Sequence, residues 1–346
     1  AAGRAAATAR GTTGGRGRGA VGLRYGGGLA PSPRPGRCVA LAGILALSAS
    51  GCSTAGTASR VAPSSAQPAP TQAPPSSSTT APAVVRSGVV TKVLVFVEEN
   101  HSLSQMKAGM PYTFGLAQRF GYATSYSAIQ HPSLPNYIAI TGGQTYGITN
   151  DHKPSDNPVP GASVFGQAIT SGKLAAVFVD GMPQNCATTD GGSDYAVKHN
   201  PWAYFTNERD ICQRYDVPVD RLPEAITQGA LPNVGMVIPN LCNDAHDCPL
   251  STADAWFKGW MTKIFDGPDW RSGHLAVVLT ADEDDKSSAN TVLTVVIHPS
   301  QKANVVTTPL THYSLTRAFE EVAGTPFLFG AAPASSMTKA FGLPRG

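Results

Sequence analysis

The chain has 346 residues, which is enough for one large domain or two small ones. Its formal net charge is +3, but the first 90 residues hold nine arginines and no lysine, aspartate or glutamate. Taking those nine from 26 basic residues leaves 17 basic against 23 acidic residues, so the remainder is net acidic, near −6. This charge excludes nucleic acid as the expected partner, because binding to a phosphate backbone relies on basic surfaces.

The first 90 residues have the features of an export segment followed by a tether. An apolar run at 39–47 follows two arginines and is too short to span a bilayer, which is typical of a secretory signal. The run leads to Ser50-Gly51-Cys52, which resembles a bacterial lipobox with Cys52 as the lipid anchor; an ordinary secretory cleavage site is the alternative. We predict an N-terminal extension with the signal in 1–52, a disordered Pro/Ser/Thr-rich tether in 53–90, and a globular domain in 91–346.

These features predict an exported protein, either a cell-surface lipoprotein held at the membrane by its lipid or a secreted protein. Disulfides are expected in such a protein because the compartment is oxidising. The domain holds four cysteines, at 186, 212, 242 and 248. Three pairings are possible, and Cys186–Cys212 with Cys242–Cys248 is favoured because both close short loops. A zinc cluster is the competing interpretation, and the lack of a C-x-x-C pair argues against it.

From residue 91 onward, strand and helix patterns alternate. In chain order we predict strand 93–97, helix 113–120, a short helix beginning at 133, helix 163–170, strand 174–179, strand 234–238, helix 256–265, strands 275–280 and 291–297, and helix 313–322. This order predicts a three-layer α/β fold, with a mostly parallel central sheet flanked by helices.

Three of the predicted strands end in polar clusters. Glu99-Asn100 follows the first strand, residues 240–246 follow strand 234–238, and Asp282-Glu283 follows strand 275–280. Ligands of open parallel sheets bind beyond the carboxyl ends of the strands. The recurrence therefore predicts a site at this edge, although an acidic run such as 282–285 is often only a solvated turn, and 240–248 is equally typical of a disulfide-closed loop.

A serine is predicted at the start of the short helix that begins at 133. Pro135 suits its first turn, and Gly142 and Gly143 suit its end. A hydroxyl at a helix N-terminus faces free backbone N–H groups and the positive end of the helix dipole, which favours an anion. Taken alone, Ser133 would be interpreted as a helix cap; the acidic clusters make it a candidate nucleophile.

These residue types suit the hydrolysis of a phosphate ester, which needs a nucleophile, positive charge on the phosphoryl oxygens and a proton for the leaving group. Ser133 is the predicted nucleophile, and it would form a phosphoserine intermediate. One divalent metal ion (Mg, Ca, Mn or Zn) would activate it, with oxygen ligands favouring the first three. The predicted metal ligands are Glu99, Asn100, Ser133, Asp282 and Glu283.

Histidines form the second group of candidates. His199, His246 and His312 are predicted to contact phosphate, to bind a second ion or to protonate the leaving oxygen. His131 lies two residues before Ser133 and is predicted to support it near the phosphate.

Six ordered motifs resemble the bacterial phosphoesterase family, which includes acid phosphatases and phosphatidylcholine-type phospholipases C, in the alkaline phosphatase superfamily. The motifs are Glu99-Asn100-His101-Ser102, His131 to Tyr137, Lys198-His199-Asn200-Pro201, Asn240 to His246, Asp282-Glu283 and His312-Tyr313-Ser314. The resemblance extends from about Lys92 to Gly324. It implies an alkaline-phosphatase-like fold and a hydrolase acting on phosphoric ester bonds.

The resemblance to the superfamily's nucleotide pyrophosphatases also implies roles. Residues 133–137 and Thr141-Gly142 resemble the nucleophile motif of those enzymes. The resemblance implies that Ser133 is the attacking residue and that Asn150 holds a phosphate oxygen. Two-metal members use an aspartate and two histidines for the other ion, which Asp244, His246 and His312 would supply here. The resemblance to the family's acid phosphatases implies a single ion. We therefore predict one ion, with His199, His246 and His312 in contact with the phosphate.

The predicted substrate is a phosphomonoester, because the chain ends soon after its last helix and shows no lipid-binding aromatic stretch. Phosphodiester or phospholipase C activity on a phospholipid head group is the alternative within the family. A surface-attached binding protein that kept the fold without turnover is the alternative from another class.

Overall fold

The computed structural model describes residues 88–346. The predicted signal, the Cys52 lipid anchor and residues 53–87 of the predicted tether lie outside the described residues. None of the helices in residues 88–346 combines the length and apolar character needed to cross a membrane.

Ten strands are present in the described residues. They are β1 (Lys92–Glu98), β2 (Gly121–Ala123), β3 (Tyr126–Ser127), β4 (Ala175–Val179), β5 (Asp216–Pro218), β6 (Val234–Ile238), β7 (Leu275–Ala281), β8 (Thr294–Ile297), β9 (Asn304–Val306) and β10 (Leu310–Thr311). Eight form one sheet in the order β5-β4-β6-β1-β7-β8-β2-β9, and β10 pairs with β3. The first five strands of that order run parallel, and β8 is antiparallel to both its neighbours.

Ten α-helices accompany the strands in the same residues. They are α1 (Leu103–Gly109), α2 (Pro111–Arg119), α3 (Ser133–Gly142), α4 (Val164–Thr170), α5 (Arg209–Tyr215), α6 (Leu222–Thr227), α7 (Leu250–Asp266), α8 (Pro268–Arg271), α9 (His312–Ala323) and α10 (Met337–Ala340). Short 3₁₀ turns lie at Val197–His199, Pro201–Tyr204, Thr206–Glu208, Val219–Arg221 and Phe329–Ala331.

The central strands are buried because helices cover both faces of the sheet. Strand β7 is buried along its whole length, as expected for a continuous apolar run in a parallel sheet. On one face, Phe96 of β1 packs edge-on against Phe257 of α7, with ring centroids 5.0 Å apart. Helix α9 contacts β1 and β6 and packs beside α3, where the Thr316 hydroxyl donates to the Ala139 carbonyl at 2.9 Å. The predicted α/β class with a mostly parallel sheet is confirmed.

The predicted elements are present, and most of their ends fall within two residues of the prediction. Strand 291–297 begins only at Thr294, because the Val292 N–H instead donates to the Tyr126 carbonyl. Helix α7 begins six residues earlier than predicted, directly after Pro249. Both predicted disulfides are present, with Cα–Cα distances of 5.4 Å for Cys186–Cys212 and 4.7 Å for Cys242–Cys248.

Candidate active site

The three polar clusters meet at the carboxyl edge of the sheet, because β6, β1 and β7 are neighbours there. Backbone hydrogen bonds continue past the strand ends. The Asp282 N–H donates to the Glu98 carbonyl at 3.0 Å, and the Glu99 N–H donates to the Asp244 carbonyl at 2.8 Å. The side chains of Glu99, Asp244 and Asp282 are consequently held side by side, as the strand order predicts.

Helix α3 brings Ser133 to this edge. Its hydroxyl donates to Glu99 Oε2 at 2.9 Å and lies 3.5 Å from Asn100 Oδ1. Ser133 is almost fully buried, and the next N–H of the helix, on Leu134, donates to Asp151 Oδ1 at 2.9 Å. The residue therefore sits beside a buried carboxylate and does not cap the helix with its side chain.

Glu99 is the hub of the cluster. Besides Ser133, it accepts a hydrogen bond from the Tyr137 hydroxyl at 2.6 Å and lies 3.2 Å from His199 Nε2. Burial raises the pKa of Glu99, but the charge and hydrogen bond of His199 outweigh it and lower that pKa to about 2. Glu99 is thus a carboxylate at any neutral or acidic working pH.

His199 is a structural partner of two carboxylates. Its Nδ1 lies 3.2 Å from Asp244 Oδ2, opposite the contact with Glu99, and the residue is buried. Burial lowers its pKa, but the charge of Glu99 and the hydrogen bonds to Asp244 and Glu99 raise it to about 9. The imidazolium therefore compensates two buried acids, and in this arrangement both of its nitrogens face protein atoms instead of a substrate.

Asp282 and Glu283 form the acidic side of the site. Asp282 Oδ1 accepts from the backbone N–H groups of Asn100 at 3.2 Å and Glu283 at 2.6 Å. Burial and the charges of Glu99 and Glu283 raise the pKa of Asp282, and the hydrogen bond from the Asn100 backbone N–H opposes them. Burial and the charges of Glu99 and Asp151 raise the pKa of Glu283 to about 8. Crowded carboxylates of this kind are stabilised by a cation.

The residues present fit a hard divalent cation. Asp282 Oδ2 is buried without a hydrogen-bond partner beside the carboxylates of Glu99 and Glu283, to which the Asn100 amide nitrogen donates at 3.1 Å and 3.3 Å. Carboxylate and amide oxygens are the ligands that Mg²⁺ and Ca²⁺ prefer. Within residues 88–346 the three carboxylates do not all lie within 4.8 Å of one another, so they would have to close in around an ion.

His131 and His312 hold these acids in place. His131 Nδ1 lies 2.6 Å from Glu283 Oε2, and its Nε2 lies 3.3 Å from Asp284 Oδ1. His312 Nε2 lies 2.6 Å from the Asp282 carbonyl oxygen, and its Nδ1 lies 3.0 Å from the Tyr126 hydroxyl.

The catalytic or metal-binding role of His312 stays a prediction, and in this structure the residue is enclosed by protein atoms. Both of its ring nitrogens have protein partners, and the residue is buried. Burial lowers its pKa to about 4, so the ring is neutral and donates from Nε2 to the Asp282 carbonyl. It also lies apart from Asp244 and His246. Within the described chain these three ligands do not converge, so the structure does not assemble the predicted second metal set.

His246 lies at the open side of the cluster. Its Nδ1 pairs with Asp247 at 2.7 Å, its Nε2 is 3.3 Å from Lys198 Nζ, and its side chain is 30% exposed. Of the predicted histidines, His246 and His131, whose side chain is 27% exposed, are the two that solvent reaches. The Cys242–Cys248 disulfide closes the loop that carries it.

Lys198 and Asp151 are functional candidates that the sequence analysis missed. Lys198 Nζ lies 3.7 Å from Asp151 Oδ2, and the other oxygen of Asp151 binds the N-terminus of α3. Lys198 is the first residue of the motif Lys198-His199-Asn200-Pro201, but nothing in the sequence predicts its contact with Asp151. Asn150 is next to this pair, but its side-chain oxygen accepts from the His152 N–H at 3.0 Å and from Asn157 Nδ2 at 2.7 Å.

A family model described as the phosphoesterase family matches residues 95–324, which is more than half of the chain. The chain belongs to this family. As a member it is a hydrolase that acts on phosphoric esters, which confirms the resemblance carried by the six motifs.

Two curated relatives show the range of similar proteins. The phosphatidylinositol-3-phosphatase of Mycobacterium tuberculosis is 29% identical over 254 residues, covering 72% of this chain and 82% of the relative. The phosphate-repressible acid phosphatase of Penicillium chrysogenum is 29% identical over 220 residues, covering 59% of this chain and 52% of the relative. The chain thus spans about half the length of that fungal enzyme.

Among solved structures, a protein in the alkaline phosphatase superfamily from Vibrio parahaemolyticus is similar with a TM-score of 0.49. It is 10% identical and the match covers 72% of this chain and 71% of that chain. The lipoteichoic acid synthase LtaP of Listeria monocytogenes is similar with the same TM-score and 9% identity, over 73% of this chain and 80% of that chain.

Proposed function

We propose that this phosphoesterase hydrolyses phosphomonoesters through a phosphoserine intermediate on Ser133, with one divalent cation as cofactor. The observation that carries the proposal is the Ser133 hydroxyl, 2.9 Å from buried Glu99 at the start of α3. A hydroxyl placed there has the positive end of the helix on the side where a phosphate anion would bind, although the Leu134 N–H already donates to Asp151.

Glu99, Asn100, Asp282 and Glu283 would hold the cation together with Ser133. When bound, a cation of the Mg, Ca, Mn or Zn type supplies charge that lowers the pKa of the serine hydroxyl and offsets the phosphoryl charge. The hydrogen bond from Ser133 to Glu99 orients the serine oxygen. His131 and His312 position Glu283 and Asp282 in turn, so they act as positioning residues.

The reaction then divides into two displacements. The Ser133 oxygen attacks phosphorus and the P–O bond to the leaving alcohol breaks. Lys198 and His246, at the open side of the cluster, are placed to offset the phosphoryl charge and to give the leaving oxygen its proton. Water then cleaves the phosphoserine, releasing inorganic phosphate. Asn150 binds phosphate in this scheme only if its side chain turns away from Asn157.

The names of the relatives support a monoester substrate. One relative is named a phosphatidylinositol-3-phosphatase and the other an acid phosphatase, and these names support a phosphomonoester of a phospholipid head group or of a soluble molecule as the substrate. The two disulfides are typical of oxidising compartments and support export, either as a lipoprotein anchored through Cys52 or as a secreted enzyme.

The test is hydrolysis of p-nitrophenyl phosphate beside bis-p-nitrophenyl phosphate and p-nitrophenyl phosphorylcholine. We expect cleavage of the monoester, loss of at least about 10³-fold in kcat for Ser133→Ala because no nucleophile remains, and loss on chelation that an added divalent cation restores. Ser104→Ala, which changes a serine of α1, is the matched control. Full activity in Ser133→Ala or in chelator would refute the proposal, and preference for phosphorylcholine would indicate a phospholipase C.

A further inference from the structure

A surface cavity is lined by two loops that lead along the chain toward the candidate active site. It has a volume of about 560 Å³ and lies between the loop that follows Asp151 and the loop closed by the Cys186–Cys212 disulfide. We propose that this cavity binds the leaving group of the substrate, and that this group is polyhydroxylated and carries a second anionic substituent. The proposal rests on the proposed function and names the class of substrate on which it acts.

The cavity lining combines two cations with many neutral hydrogen-bonding groups. Lys153 and Arg209 supply the charge, and hydroxyl or amide side chains supply the remainder, among them Ser155, Gln184, Thr188 and Thr189. In the part of the chain that the structure describes, no carboxylate lines the cavity, and none lies within 4 Å of either cation.

Arg209 is held at the cavity by its neighbours. Its Nη1 donates to Cys186 Sγ at 3.4 Å, so the disulfide fixes one end of the guanidinium. Asp216, whose pKa its charge lowers, is buried and lies beyond salt-bridge distance. The guanidinium therefore keeps donors for an anionic group, and a planar fork of donors matches a phosphate.

Both walls of the cavity continue directly into the active site. Lys153 is two residues from Asp151, so their Cα atoms are at most about 7 Å apart. Asp151 itself binds the N–H of Leu134, the neighbour of Ser133. On the other wall, Thr189 precedes Asp190, whose Oδ1 accepts from the Val197 N–H at 2.8 Å, next to Lys198.

This combination defines the chemistry of the ligand. Hydroxyl and amide side chains are the groups that bind sugar or polyol hydroxyls, and two cations without carboxylate partners favour an anionic ligand. A simple aryl phosphate would reach the nucleophile without using the cavity. A phosphorylated polyol with a second phosphate would use both, whether it is free or is a lipid head group.

The experiment compares a substrate that fills the cavity with one that does not. The polyol probe is glycerophosphoinositol 3-phosphate, tested in solution and as the same head group on a diacyl lipid in phosphatidylcholine vesicles; the small probe is p-nitrophenyl phosphate. For Lys153→Gln and Arg209→Gln we expect KM for the polyol probe to rise about tenfold each, because one charge-assisted contact is lost. KM and kcat for p-nitrophenyl phosphate should stay within about twofold.

Arg214→Gln is the matched control, since it removes an exposed cation from the same helix. Its KM values should not change, which separates local contact from a general loss of positive charge. Arg209→Lys keeps the charge, so its KM for the polyol probe should lie between those of the wild type and Arg209→Gln. This variant shows whether the effect of Arg209→Gln comes from the lost charge or from misfolding. An effect in the soluble arm alone indicates a free polyol phosphate, and an effect in the vesicle arm alone indicates a lipid head group.

The proposal is overturned if Lys153→Gln and Arg209→Gln raise KM equally for the polyol probe and for p-nitrophenyl phosphate. It is also overturned if KM for the polyol probe changes neither in solution nor in vesicles. Inactivity of the wild type toward p-nitrophenyl phosphate would refute the proposed function and not the cavity assignment. In that case, a rise in Tm of the wild type with glycerophosphoinositol 3-phosphate that is lost in Lys153→Gln would still support the cavity, and no rise would overturn it.

Discussion

At the residue scale, the site depends on how charges are compensated. Glu99 is kept ionised by His199, whereas His312 is kept neutral by burial. Both histidines occur in motifs that the sequence analysis singled out, and both were predicted to contact phosphate. The difference between them comes from their partners. Glu99, the partner of His199, lies 100 residues away in the chain, and Asp282, whose carbonyl contacts His312, lies 30 residues away.

A buried acid outside the site gives a test of these electrostatics. Asp216 accepts a hydrogen bond from Asn200 at 2.8 Å, and burial raises its pKa from 3.8 to about 7. The folded state therefore keeps this proton up to about pH 7, while the unfolded chain loses it near pH 4. The contribution of Asp216 to stability falls as pH rises between these values and is constant above them.

We expect Asp216→Asn to remove this pH dependence, because the amide does not titrate and still accepts from Asn200. The free energy of unfolding of the variant minus that of the wild type should increase by about 2–4 kcal/mol between pH 4 and pH 8. Urea unfolding across this range measures it, with Asp220→Asn, an exposed acid, as the control. A constant difference between variant and wild type would contradict the assignment.

At the element scale, helix α3 carries the nucleophile, and its end is fixed by a glycine. Gly143 follows the helix with φ of 70°, a left-handed conformation that favours glycine. A Cβ there would also lie 2.7 Å from the Leu328 carbonyl oxygen, since the chain passes close to the helix end. Gly147 has φ of 75° but open space around it.

A comparison of substitutions at Gly143 and Gly147 separates the effect of backbone strain from the effect of steric crowding. We expect Gly147→Ala to lower the free energy of unfolding by about 1 kcal/mol, through its backbone conformation alone. Gly143→Ala should lower it by about 2–4 kcal/mol, because the loop that carries Leu328 must also move. Thermal or urea unfolding of both variants measures the difference, and equal losses would show that the contact with Leu328 is not rigid.

Short strands, turns and the short helices α1, α5, α6, α8 and α10 are the elements that the sequence did not predict. Strands β2, β5 and β9 have three residues each, too few for a periodic pattern, and they form by pairing with strands from distant parts of the chain. The helix that begins at Ser133 was predictable because Pro135 and Gly143 mark its two ends locally.

At the scale of the whole molecule, the two disulfides have different tasks. Cys186 and Cys212 are 26 residues apart, whereas Cys242 and Cys248 are six apart. By loop-closure entropy the first is worth about 3.5 kcal/mol and the second about 2 kcal/mol. The shorter loop, however, carries Asp244 and His246 into the active site.

We therefore expect Cys186→Ser/Cys212→Ser to cause the larger loss of stability, and Cys242→Ser/Cys248→Ser the larger loss of kcat on p-nitrophenyl phosphate. Unfolding curves and steady-state kinetics on the same two preparations measure both quantities. If the pair with the greater loss of stability also shows the greater loss of kcat, the loop at 242–248 is not what positions the site.

Residue order was sufficient to predict the α/β class, the three polar clusters at strand ends and the family, and to favour the two disulfide pairings that are present. These features depend on local patterns, such as apolar runs followed by acids, and such patterns can be recognised without three-dimensional information. The order of β6, β1 and β7 in the sheet, which the sequence did not predict, then brings Glu99, Asp244 and Asp282 together at one edge.

The partners and burial of each of these side chains became known from the packing of the fold. The pairing of Lys198 with Asp151, the support of Glu283 by His131 and the enclosure of His312 all join segments that are far apart in the chain. A motif shows which residue types are present, but the direction, burial and partner of a side chain depend on packing across the fold. The charge state of a histidine follows from those three properties, and so its role could not be read from the sequence.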